Sequence, residues 1–475
     1  DAVAAALLVL GLKPDGQLAE TCQSDLPLIL AFLASQRIGL VWVGMNLALA
    51  ASEKAYQVET TEACIVLADA TAMDELSAAC PEGTPLIALD SDDAHSWTSR
   101  IDANADASRP DVEIDPHAPA AIAFTSGTTR PPKCAVHSQY NIMCITSAGH
   151  DLIGKSNWQT GLRQGAPLPL TILNIMIYGV VDAVAEGATF VCSLRNDIKS
   201  ITDRIVTEKV ETLGLAPAQF YDLVILPDLQ TGPLGLLKYV WCGGSYVSSE
   251  IKALFRQIYG CEVVEDYGLT EALTSIVARR SDEAPPEGAA GRPHPHLDVR
   301  AVAPRRPPPE GEVGVWATDS GLWAGVYTPM LGYWCNAKAT AETICNGWLM
   351  TGDLGVMKGG WMSIVGRTKN IVVRGGSNIY PSEVERVFLA DDRLCDVALV
   401  GSPDFRRGEI AAAFIEMADG TDREGLRAKL ERRCRDQLAL YKGPERRYVV
   451  KESPRNQMRK QIKSDLLAAE RDALA

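Results

Sequence analysis

Short apolar runs alternate with amphipathic segments along the chain up to about residue 365. The apolar runs have the length of strands and lie at 63–67, 86–89, 120–124, 189–194, 212–216 and 239–242. Helical periodicity lies between them, for example over 28–39 and 198–208. Strands that alternate with helices predict layered α/β structure with parallel sheets.

Length and charge divide the chain into two parts. At 475 residues it is too long for one ordinary hydrophobic core, so two or more domains are expected. Acidic residues outnumber basic ones over the whole chain, but beyond 366–369 the balance reverses slightly. The last segment, of roughly a hundred residues, has the size of a domain. We therefore predict a large N-terminal domain of layered α/β sheets and a small C-terminal α+β domain.

Composition limits the classes of partner. The apolar content of 47% and the charged content of 22% are typical of a soluble globular protein. A formal net charge of −14 argues against nucleic acid or an anionic membrane as a general partner. The longest apolar stretch, 166–185, contains two prolines, Asn174 and Asp182, so no membrane span is predicted. The 12 cysteines are scattered without a C-x-x-C pair, which favours reduced thiols and a cytoplasmic location.

A predicted strand leads directly into a turn rich in hydroxyl groups at 124–137. Small residues there allow close backbone approach to a ligand, while hydroxyls, free N–H groups and a lysine supply donors and charge for phosphate. A Ser/Thr-rich surface loop would need neither the lysine nor the preceding strand. The order G-x-x-x-x-G-K-[ST] is absent, so the turn is not a Walker A loop. The candidate phosphate-binding residues are Thr125, Ser126, Gly127, Thr128, Thr129 and Lys133.

Two further segments carry small or polar side chains after predicted strands. Gly243, Gly244 and Ser245 would let a flat group lie against the backbone. Segment 265–271 places an aromatic ring, a hydroxyl and a carboxylate within five residues, which could stack a base, contact phosphate and hold Mg²⁺. Taken alone, the first segment is a weak signal because Gly-Gly turns are common, and the second is better explained as a strand-end turn with a capping threonine.

Considered together, the motifs resemble the signatures of the adenylate-forming (AMP-binding) superfamily, in its acyl-CoA synthetase branch. The 125–134 turn resembles T-S-G-T-T-G-x-P-K-G, and 267–271 resembles Y-G-x-T-E. Downstream, 347–353 resembles G-W-x-x-T-G-D, 366–370 resembles the next motif, and 453–460 resembles L-P-R-x-x-x-G-K. The motifs follow the order of the family from about residue 20 to 466.

The resemblance implies a role for each matching residue in the N-terminal part. The 125–133 loop would hold the departing pyrophosphate. Tyr267 would stack on adenine with Asp266 near its amino edge, and Gly268 lies in the same motif. Thr270 would contact phosphate and Glu271 would hold Mg²⁺, so both are assigned to catalysis.

The later motifs imply the ribose site, a hinge and a catalytic lysine. Asp353 would accept hydrogen bonds from both ribose hydroxyls, and Arg367 would reach ribose or phosphate. Lys369 falls at the interdomain hinge of the family, which gives domains 1–366 and 371–475 with a hinge at 367–370. The C-terminal domain would be mobile, with Gly375 and Gly376 lining the pantetheine tunnel and Lys460 as the catalytic lysine. The chain opens in what resembles the middle of the N-terminal domain, so an upstream piece is expected to be missing or shortened.

The implied activity is that of an acid–thiol ligase with ATP, Mg²⁺ and coenzyme A as cofactors. A carboxylic acid and ATP would give acyl-adenylate and pyrophosphate, and the CoA thiol would then take the acyl group and release AMP. Three alternatives stay open at this point. The enzyme could load the phosphopantetheine of a carrier protein, it could be a luciferase-like oxygenase, or it could be a degenerate nucleotide-binding protein.

Three positions depart from the family signatures. Arg130, Cys134 and Arg459 replace glycines, which puts the flexibility of the loop and the efficiency of catalysis in question. The histidine that often gates the acyl pocket is absent near 169–172, so a hydrophobic acyl group is expected. The pocket for the acid is expected around 165–180, 215–220, 242–245 and 267–276. The sequence indicates neither the identity of the acid nor the oligomeric state.

Overall fold

A computed structural model describes most of the chain. The described residues are 1–90, 96–125, 132–153, 161–192, 197–215, 217–225, 237–243, 249–273, 275–279, 285–286, 288–302, 310–374, 377–418, 420–455 and 461–474. The helices are α1 Ala2–Val9, α2 Leu26–Arg37, α3 Ala51–Thr61, α4 Ala70–Ala79, α5 Trp97–Asp102, α6 Gln139–Ile153, α7 Leu173–Ile175, α8 Asp182–Glu186, α9 Ile198–Thr207, α10 Pro217–Ile225, α11 Ser249–Tyr259, α12 Ala337–Thr343, α13 Pro381–Leu389, α14 Arg423–Gln437 and α15 Lys463–Leu474.

The strands are β1 Gln17–Thr21, β2 Val41–Gly44, β3 Ile65–Ala68, β4 Leu86–Ala88, β5 Pro119–Phe124, β6 Cys134–Ser138, β7 Arg163–Ala166, β8 Thr189–Cys192, β9 Thr212–Leu215, β10 Tyr239–Gly243, β11 Glu262–Gly268, β12 Ser275–Ala278, β13 Arg292–Pro293, β14 Leu297–Val302, β15 Glu310–Ala317, β16 Gly332–Tyr333, β17 Ile344–Cys345, β18 Trp348–Lys358, β19 Trp361–Arg367, β20 Val372–Arg374, β21 Ser377–Ile379, β22 Leu394–Asp404, β23 Gly408–Met417 and β24 Arg446–Val450. Within the described residues these strands form four sheets.

The first two sheets are mainly parallel, as the alternation of strands and helices predicts. The first has the strand order β16-β6-β5-β2-β1-β3-β4, and its antiparallel pairings are those of β6 with β5 and with β16. The second has the order β13-β12-β11-β10-β9-β7-β8, with β12 and β13 antiparallel at one edge. Ligands of such sheets bind beyond the carboxyl ends of the parallel strands. The turn after β5 and the ends of β10 and β11 lie at such positions.

Two smaller sheets complete the fold. The third sheet, β14-β15-β18-β17 with β19 on β18, is antiparallel and belongs to the N-terminal part. The fourth sheet has the order β21-β20-β23-β22, with β24 pairing with β23. Helix α13 begins at Pro381, a favoured first helical residue, and packs its apolar face with α14 against the fourth sheet. The large α/β part and the smaller C-terminal α+β part agree with the predicted fold class.

Each sheet buries its own apolar face. Phe32 and Trp42 meet edge to face at 5.1 Å in the core of the first sheet, and the Trp42 indole donates a hydrogen bond to the buried Glu20 at 2.9 Å. Phe220 and Phe255 stack at 4.3 Å in the core of the second. Helix α7 continues into a π-helical turn over Met176–Val181, which the sequence pattern does not indicate. Among the described residues, no helix has the length and apolar character that crossing a membrane requires.

Candidate active site

The turn after β5 is closed at its base by a reciprocal pair of hydrogen bonds. The Thr125 amide donates to the Lys133 carbonyl at 2.8 Å, and the Lys133 amide donates to Thr125 Oγ1 at 3.1 Å. Beyond this pair, β5 and β6 continue as an antiparallel hairpin. The two ends of the predicted phosphate loop are thereby held together. The predicted residues Ser126, Gly127, Thr128 and Thr129, and the irregular Arg130, lie outside the described residues.

The Lys133 side chain lies against an aromatic ring. Its ammonium nitrogen is 4.4 Å from the centroid of the Tyr333 ring, a cation–π distance. Tyr333 is 6% exposed, and its hydroxyl donates to Glu271 Oε1 at 2.7 Å. Burial and the charge of Glu271 raise the pKa of Tyr333, so the phenol stays protonated and remains a donor. Lys133, Tyr333 and Glu271 form what we call the phosphate cluster.

Glu271 lies in a 3₁₀ turn, Thr270–Ala272, which follows β11. The Thr270 carbonyl accepts a hydrogen bond from His137 Nε2 at 2.9 Å, and the Glu271 carbonyl accepts one from the Met330 amide at 2.7 Å. His137 is fully buried on β6, and burial lowers its pKa to about 4, so the imidazole is neutral at pH 7. Because the partner is a carbonyl, Nε2 carries the proton. Strand β6 thus connects the base of the loop to the turn that carries Glu271.

A second cluster lies at the C-terminal end of β11, just before this turn. The Tyr267 hydroxyl donates to Asp353 Oδ2 at 2.7 Å, and Arg367 Nε donates to Asp353 Oδ1 at 2.9 Å. Asp353 is 4% exposed, whereas the Arg367 side chain is 60% exposed. Burial and the Asp353 charge raise the pKa of Tyr267, so its hydroxyl remains a donor. We call Tyr267, Asp353 and Arg367 the nucleoside cluster.

The backbone around Asp353 explains how the carboxylate is aimed. Asp353 and Arg367 are opposite residues of the antiparallel pair β18 and β19. Gly352 has a φ of +75°, a conformation that favours glycine, and its amide donates to Glu312 Oε1 at 2.9 Å. The Thr368 hydroxyl donates to the Gly352 carbonyl at 2.9 Å. The G-D pair of the motif is therefore fixed from both neighbouring segments.

Gly243 and Asp266 are brought side by side by the parallel pairing of β10 and β11. A Cβ atom on residue 243 would lie 2.4 Å from Asp266 Oδ1, so any larger residue there would displace this carboxyl. Burial raises the pKa of Asp266 to about 6. Gly268 is the last residue of β11 and lies at an irregularity in its pairing with β12. The predicted Gly244 and Ser245 fall outside the described residues.

Only part of the predicted C-terminal machinery is described. Lys369 lies in a 3₁₀ turn, Thr368–Asn370, directly after β19. Gly375, Gly376 and Lys460, with the irregular Arg459, fall outside the described residues. Lys463, which lies near Lys460 in the sequence, is described, and its side chain is held by hydrogen bonds within the protein. Lys463 donates to Glu385 Oε1 at 2.6 Å and to the Leu399 carbonyl at 3.1 Å.

Two of the four segments expected to form the acid pocket meet at one tyrosine, directly beside the start of a third. Tyr178, in the π-helical turn, stacks on Trp241 with ring centroids 6.3 Å apart. Its hydroxyl accepts a hydrogen bond from the Ser275 amide at 3.2 Å. Trp241 precedes the 242–245 segment, and Ser275 belongs to the 267–276 segment. The meeting point is therefore aromatic and carries no charge on these three side chains.

The magnesium assignment rests on the donor set of Glu271. In the described part of the chain there is no group of three or more His, Cys, Asp and Glu residues suited to a metal ion. Mg²⁺ that serves phosphate chemistry is commonly held by one or two carboxylates together with substrate phosphates and water. A single carboxylate beside a candidate phosphate loop fits that pattern.

The sequence patterns indicate neither Tyr333 nor His137 as a site residue. Tyr333 is brought to Glu271 by the two-residue strand β16, whose pairing with β6 is antiparallel and long-range. No local pattern in the sequence predicts the pairing of β16 with β6. The GYW sequence around Tyr333 lies between motifs and carries no charge.

Comparison with known proteins identifies the family of the chain. The AMP-binding enzyme family matches residues 1–334, and the C-terminal domain of AMP-binding enzymes matches residues 383–460. The indoleacetate–CoA ligase of Aromatoleum aromaticum is 29% identical to this chain over 97% of its length and 90% of the relative's. The long-chain-fatty-acid–CoA ligase FadD13 of Mycobacterium tuberculosis is 28% identical over 97% of this chain and 89% of its own.

A solved structure shows the same fold. ATP-bound MatB from Rhodopseudomonas palustris has a TM-score of 0.89 to this chain at 24% identity, covering 100% of this chain and 92% of that one. The predicted fold class is thereby confirmed, and the two family matches confirm the predicted family. The chain belongs to the family of AMP-binding enzymes.

Proposed function

We propose that this protein is an AMP-forming acyl-CoA ligase that acts on a hydrophobic carboxylic acid. A carboxylate oxygen of the acid attacks the α-phosphorus of ATP, and the bond from that phosphorus to pyrophosphate breaks. The thiolate of coenzyme A then attacks the carbonyl carbon of the acyl-adenylate, and the carbonyl–oxygen bond to AMP breaks. The thiol proton passes to solvent.

One observation carries the proposal. The segment from Tyr267 to Glu271 belongs to both clusters, so a group that suits a nucleoside and a group that suits charged phosphates lie four residues apart. A nucleotide has these same two parts joined covalently. The two clusters therefore match a nucleotide in the chemistry that suits each of its parts and in the short segment that joins them.

In the nucleoside cluster the protein would recognise uncharged ribose hydroxyls. A carboxylate offers about four lone-pair sites, so Asp353 can keep its bonds to Tyr267 and Arg367 and still accept from both hydroxyls. The Tyr267 ring would stack on adenine, and Asp266 beside Gly243 would lie near the amino edge of the base. With a pKa of about 6, Asp266 is mainly ionised at pH 7 and can accept from that amino group.

In the phosphate cluster the protein would neutralise charge. Attack of an anionic carboxylate on an anionic phosphate depends on positioning and on electrostatic stabilisation of the developing charge. Lys133 would hold the departing pyrophosphate with the hydroxyls of the 125–129 turn, and Thr270 would contact phosphate. Glu271 would hold Mg²⁺, which supplies further positive charge to the phosphates when it is bound.

The C-terminal domain would supply the remaining groups by moving about residues 367–370. Lys460 would bridge the carboxylate and the α-phosphate during adenylation. In the second half-reaction Lys460 would leave, and the Gly375–Gly376 loop would line the path of the pantetheine thiol. A thiol with a pKa of about 8.5 needs little activation to attack an acyl-phosphate anhydride.

The proposed acid is hydrophobic because the aromatic pair Tyr178 and Trp241 lies at the expected pocket and no histidine occurs at 169–172. Two relatives that match along nearly the whole chain are named for indoleacetate and for long-chain fatty acids, both apolar acids. A reducing compartment such as the cytoplasm suits the protein, since its 12 cysteines are scattered along the sequence without a C-x-x-C pair.

The test is acid-dependent exchange of labelled pyrophosphate into ATP across aliphatic, aromatic and polycyclic acids. We expect exchange with at least one apolar acid, and AMP release on addition of coenzyme A. AMP release with a holo-carrier protein but not with coenzyme A would instead identify a carrier-loading enzyme. ATP binding without exchange across the whole panel would identify a degenerate nucleotide-binding protein.

A further inference from the structure

Tyr333 contacts two groups of opposite charge, and the proposed reaction uses these two groups separately. The Lys133 ammonium nitrogen lies 4.4 Å from the centroid of its ring, and its hydroxyl donates to Glu271 Oε1 at 2.7 Å. A cation prefers the negative face of an aromatic ring, whereas a phenol hydroxyl in the ring plane donates to a carboxylate. One side chain therefore contacts both charges, the ammonium at the face of its ring and the carboxylate at its hydroxyl.

The position of Tyr333 is fixed by backbone pairing on both sides. The Leu331 amide donates to the Val136 carbonyl at 2.8 Å, and the Trp334 amide donates to the Cys134 carbonyl at 2.8 Å. The Tyr333 amide itself donates to the Thr340 hydroxyl at 2.9 Å. Because β6 also begins directly after Lys133, the ring and the loop lysine share one rigid support.

This arrangement has a chemical consequence. If Lys133 and Glu271 formed a direct ion pair, binding of phosphate and of a divalent cation would first have to separate two opposite charges. With the ring between them, the ammonium is held by a weak contact that phosphate can replace. The carboxylate has one oxygen committed to the hydroxyl and is held in one orientation.

We propose that Tyr333 is a positioning residue that separates Lys133 from Glu271 and orients each for its part of the magnesium–ATP complex. The proposal deepens the proposed function, since it rests on Lys133 serving the phosphates and Glu271 serving Mg²⁺. The hydroxyl would act on the cation side through Glu271, and the ring would act on the phosphate side through Lys133. The two parts of one side chain can therefore be tested separately.

Two substitutions divide these roles. Tyr333→Phe keeps the ring and removes the hydroxyl, and Tyr333→Leu removes both. The matched control is Tyr327→Phe, because the buried Tyr327 hydroxyl has no hydrogen-bond partner within the described structure. Binding of ATP is measured by calorimetry without any acid, with magnesium chloride and with excess chelator, alongside thermal unfolding of each variant.

For Tyr333→Phe we expect the strengthening of ATP binding by magnesium to fall about tenfold, the order of losing one hydrogen bond to a charged group. Its binding of ATP in chelator should match the wild type. Tyr333→Leu should in addition bind ATP more weakly in chelator, by a few-fold. Tyr327→Phe should match the wild type in both conditions.

A double-mutant cycle separates positioning from a general structural role. If the hydroxyl acts through Glu271, Tyr333→Phe should have no further effect on magnesium-dependent binding in a Glu271→Gln background. An undiminished effect in that background, or a Tyr333→Phe protein with wild-type magnesium dependence, would overturn the proposal. Failure of the proposed function looks different, because the wild-type protein would then bind ATP without acid-dependent exchange or would not bind ATP at all.

Discussion

The nucleoside cluster and the phosphate cluster treat charge in opposite ways. In the nucleoside cluster Arg367 contacts the Asp353 carboxylate directly at 2.9 Å. In the phosphate cluster Lys133 contacts the ring of Tyr333 and Glu271 accepts from its hydroxyl. A carboxylate that must accept from neutral hydroxyls can have its charge balanced within the protein. In the proposed function Lys133 meets phosphates and Glu271 meets a divalent cation, and a direct ion pair between them would compete with both ligands.

The difference also explains the burial of the two carboxylates. Asp353 is 4% exposed, and a buried carboxylate is tolerated when it is paired and hydrogen-bonded. Glu271 is only partly buried, and its described protein partner is a neutral hydroxyl. The charge of Asp353 is therefore balanced by Arg367, whereas the charge of Glu271 is available to the cation that the proposed function requires.

The largest expected effect comes from neutralising the phosphate cluster. Glu271→Gln should lower acid-dependent pyrophosphate exchange by about 10²–10³-fold, the scale of removing one group that stabilises the transition state. ATP binding in chelator should change little, because no cation is then present for the carboxylate to hold. Exchange within a few-fold of wild type would show that Glu271 does not serve the cation.

The nucleoside cluster should respond differently to the matching change. Asp353→Asn should weaken AMP binding by roughly 10- to 100-fold with or without magnesium, since hydrogen bonds to a charged acceptor are lost. Calorimetry with AMP measures this effect. The control is Asp298→Asn, which removes a carboxylate that is paired with Arg300 outside both clusters. A loss confined to magnesium-containing buffer would contradict the division between the clusters.

Lowering the pH should reduce the stability of the folded protein through His137, which supports the turn that carries Glu271. Burial lowers its pKa to about 4, against about 6.5 in the unfolded chain, so the unfolded state binds the proton more strongly. Stability is therefore lost as the pH falls from about 6.5 toward 4, by about 2 kcal/mol at pH 5 for this group. Asp266, whose pKa is raised to about 6, changes stability in the opposite direction over part of the same range.

The contribution of His137 is isolated by comparing wild type with His137→Gln in urea unfolding near pH 7 and near pH 5. The free-energy difference between the two proteins should shift in favour of the variant by about 2 kcal/mol at the lower pH. An unchanged difference would mean that His137 is not held neutral by burial. The Asp266 term is common to both proteins and cancels.

The smallest expected effect concerns the turn itself. His137→Leu removes the donor to the Thr270 carbonyl and should raise the KM for magnesium–ATP about five- to tenfold, the range for one neutral hydrogen bond. His137→Gln keeps an N–H donor and should recover part of that loss. Equal values for the two variants would show that the hydrogen bond does not position the turn.

Much of the fold could be predicted because the signals are local. The apolar run 239–242 became β10, Tyr239–Gly243, and the 28–39 pattern became α2, Leu26–Arg37, with Asp25 as its N-cap. A run of apolar residues or a capping residue acts within a few positions of itself. The π-helical turn over Met176–Val181 has no such local signal and was not foreseen.

The contacts within the site also differ in how far the sequence predicts them. Asp353 and Arg367 stand in recognisable motifs, and they meet within one hairpin only 14 residues apart. Tyr333 and Glu271 are 62 residues apart, and their contact depends on the pairing of β16 with β6. Such a contact follows from topology, which one sequence does not specify. The roles of Lys460 and of the Gly375–Gly376 loop remain predictions from the sequence.

The account is tested most directly by acid-dependent exchange of labelled pyrophosphate into ATP, run on wild type, Glu271→Gln and Asp298→Asn with the same panel of apolar acids. It predicts exchange by wild type and Asp298→Asn with at least one acid, and near loss of exchange by Glu271→Gln. The absence of exchange with every acid, in a wild-type protein that binds ATP, would contradict it.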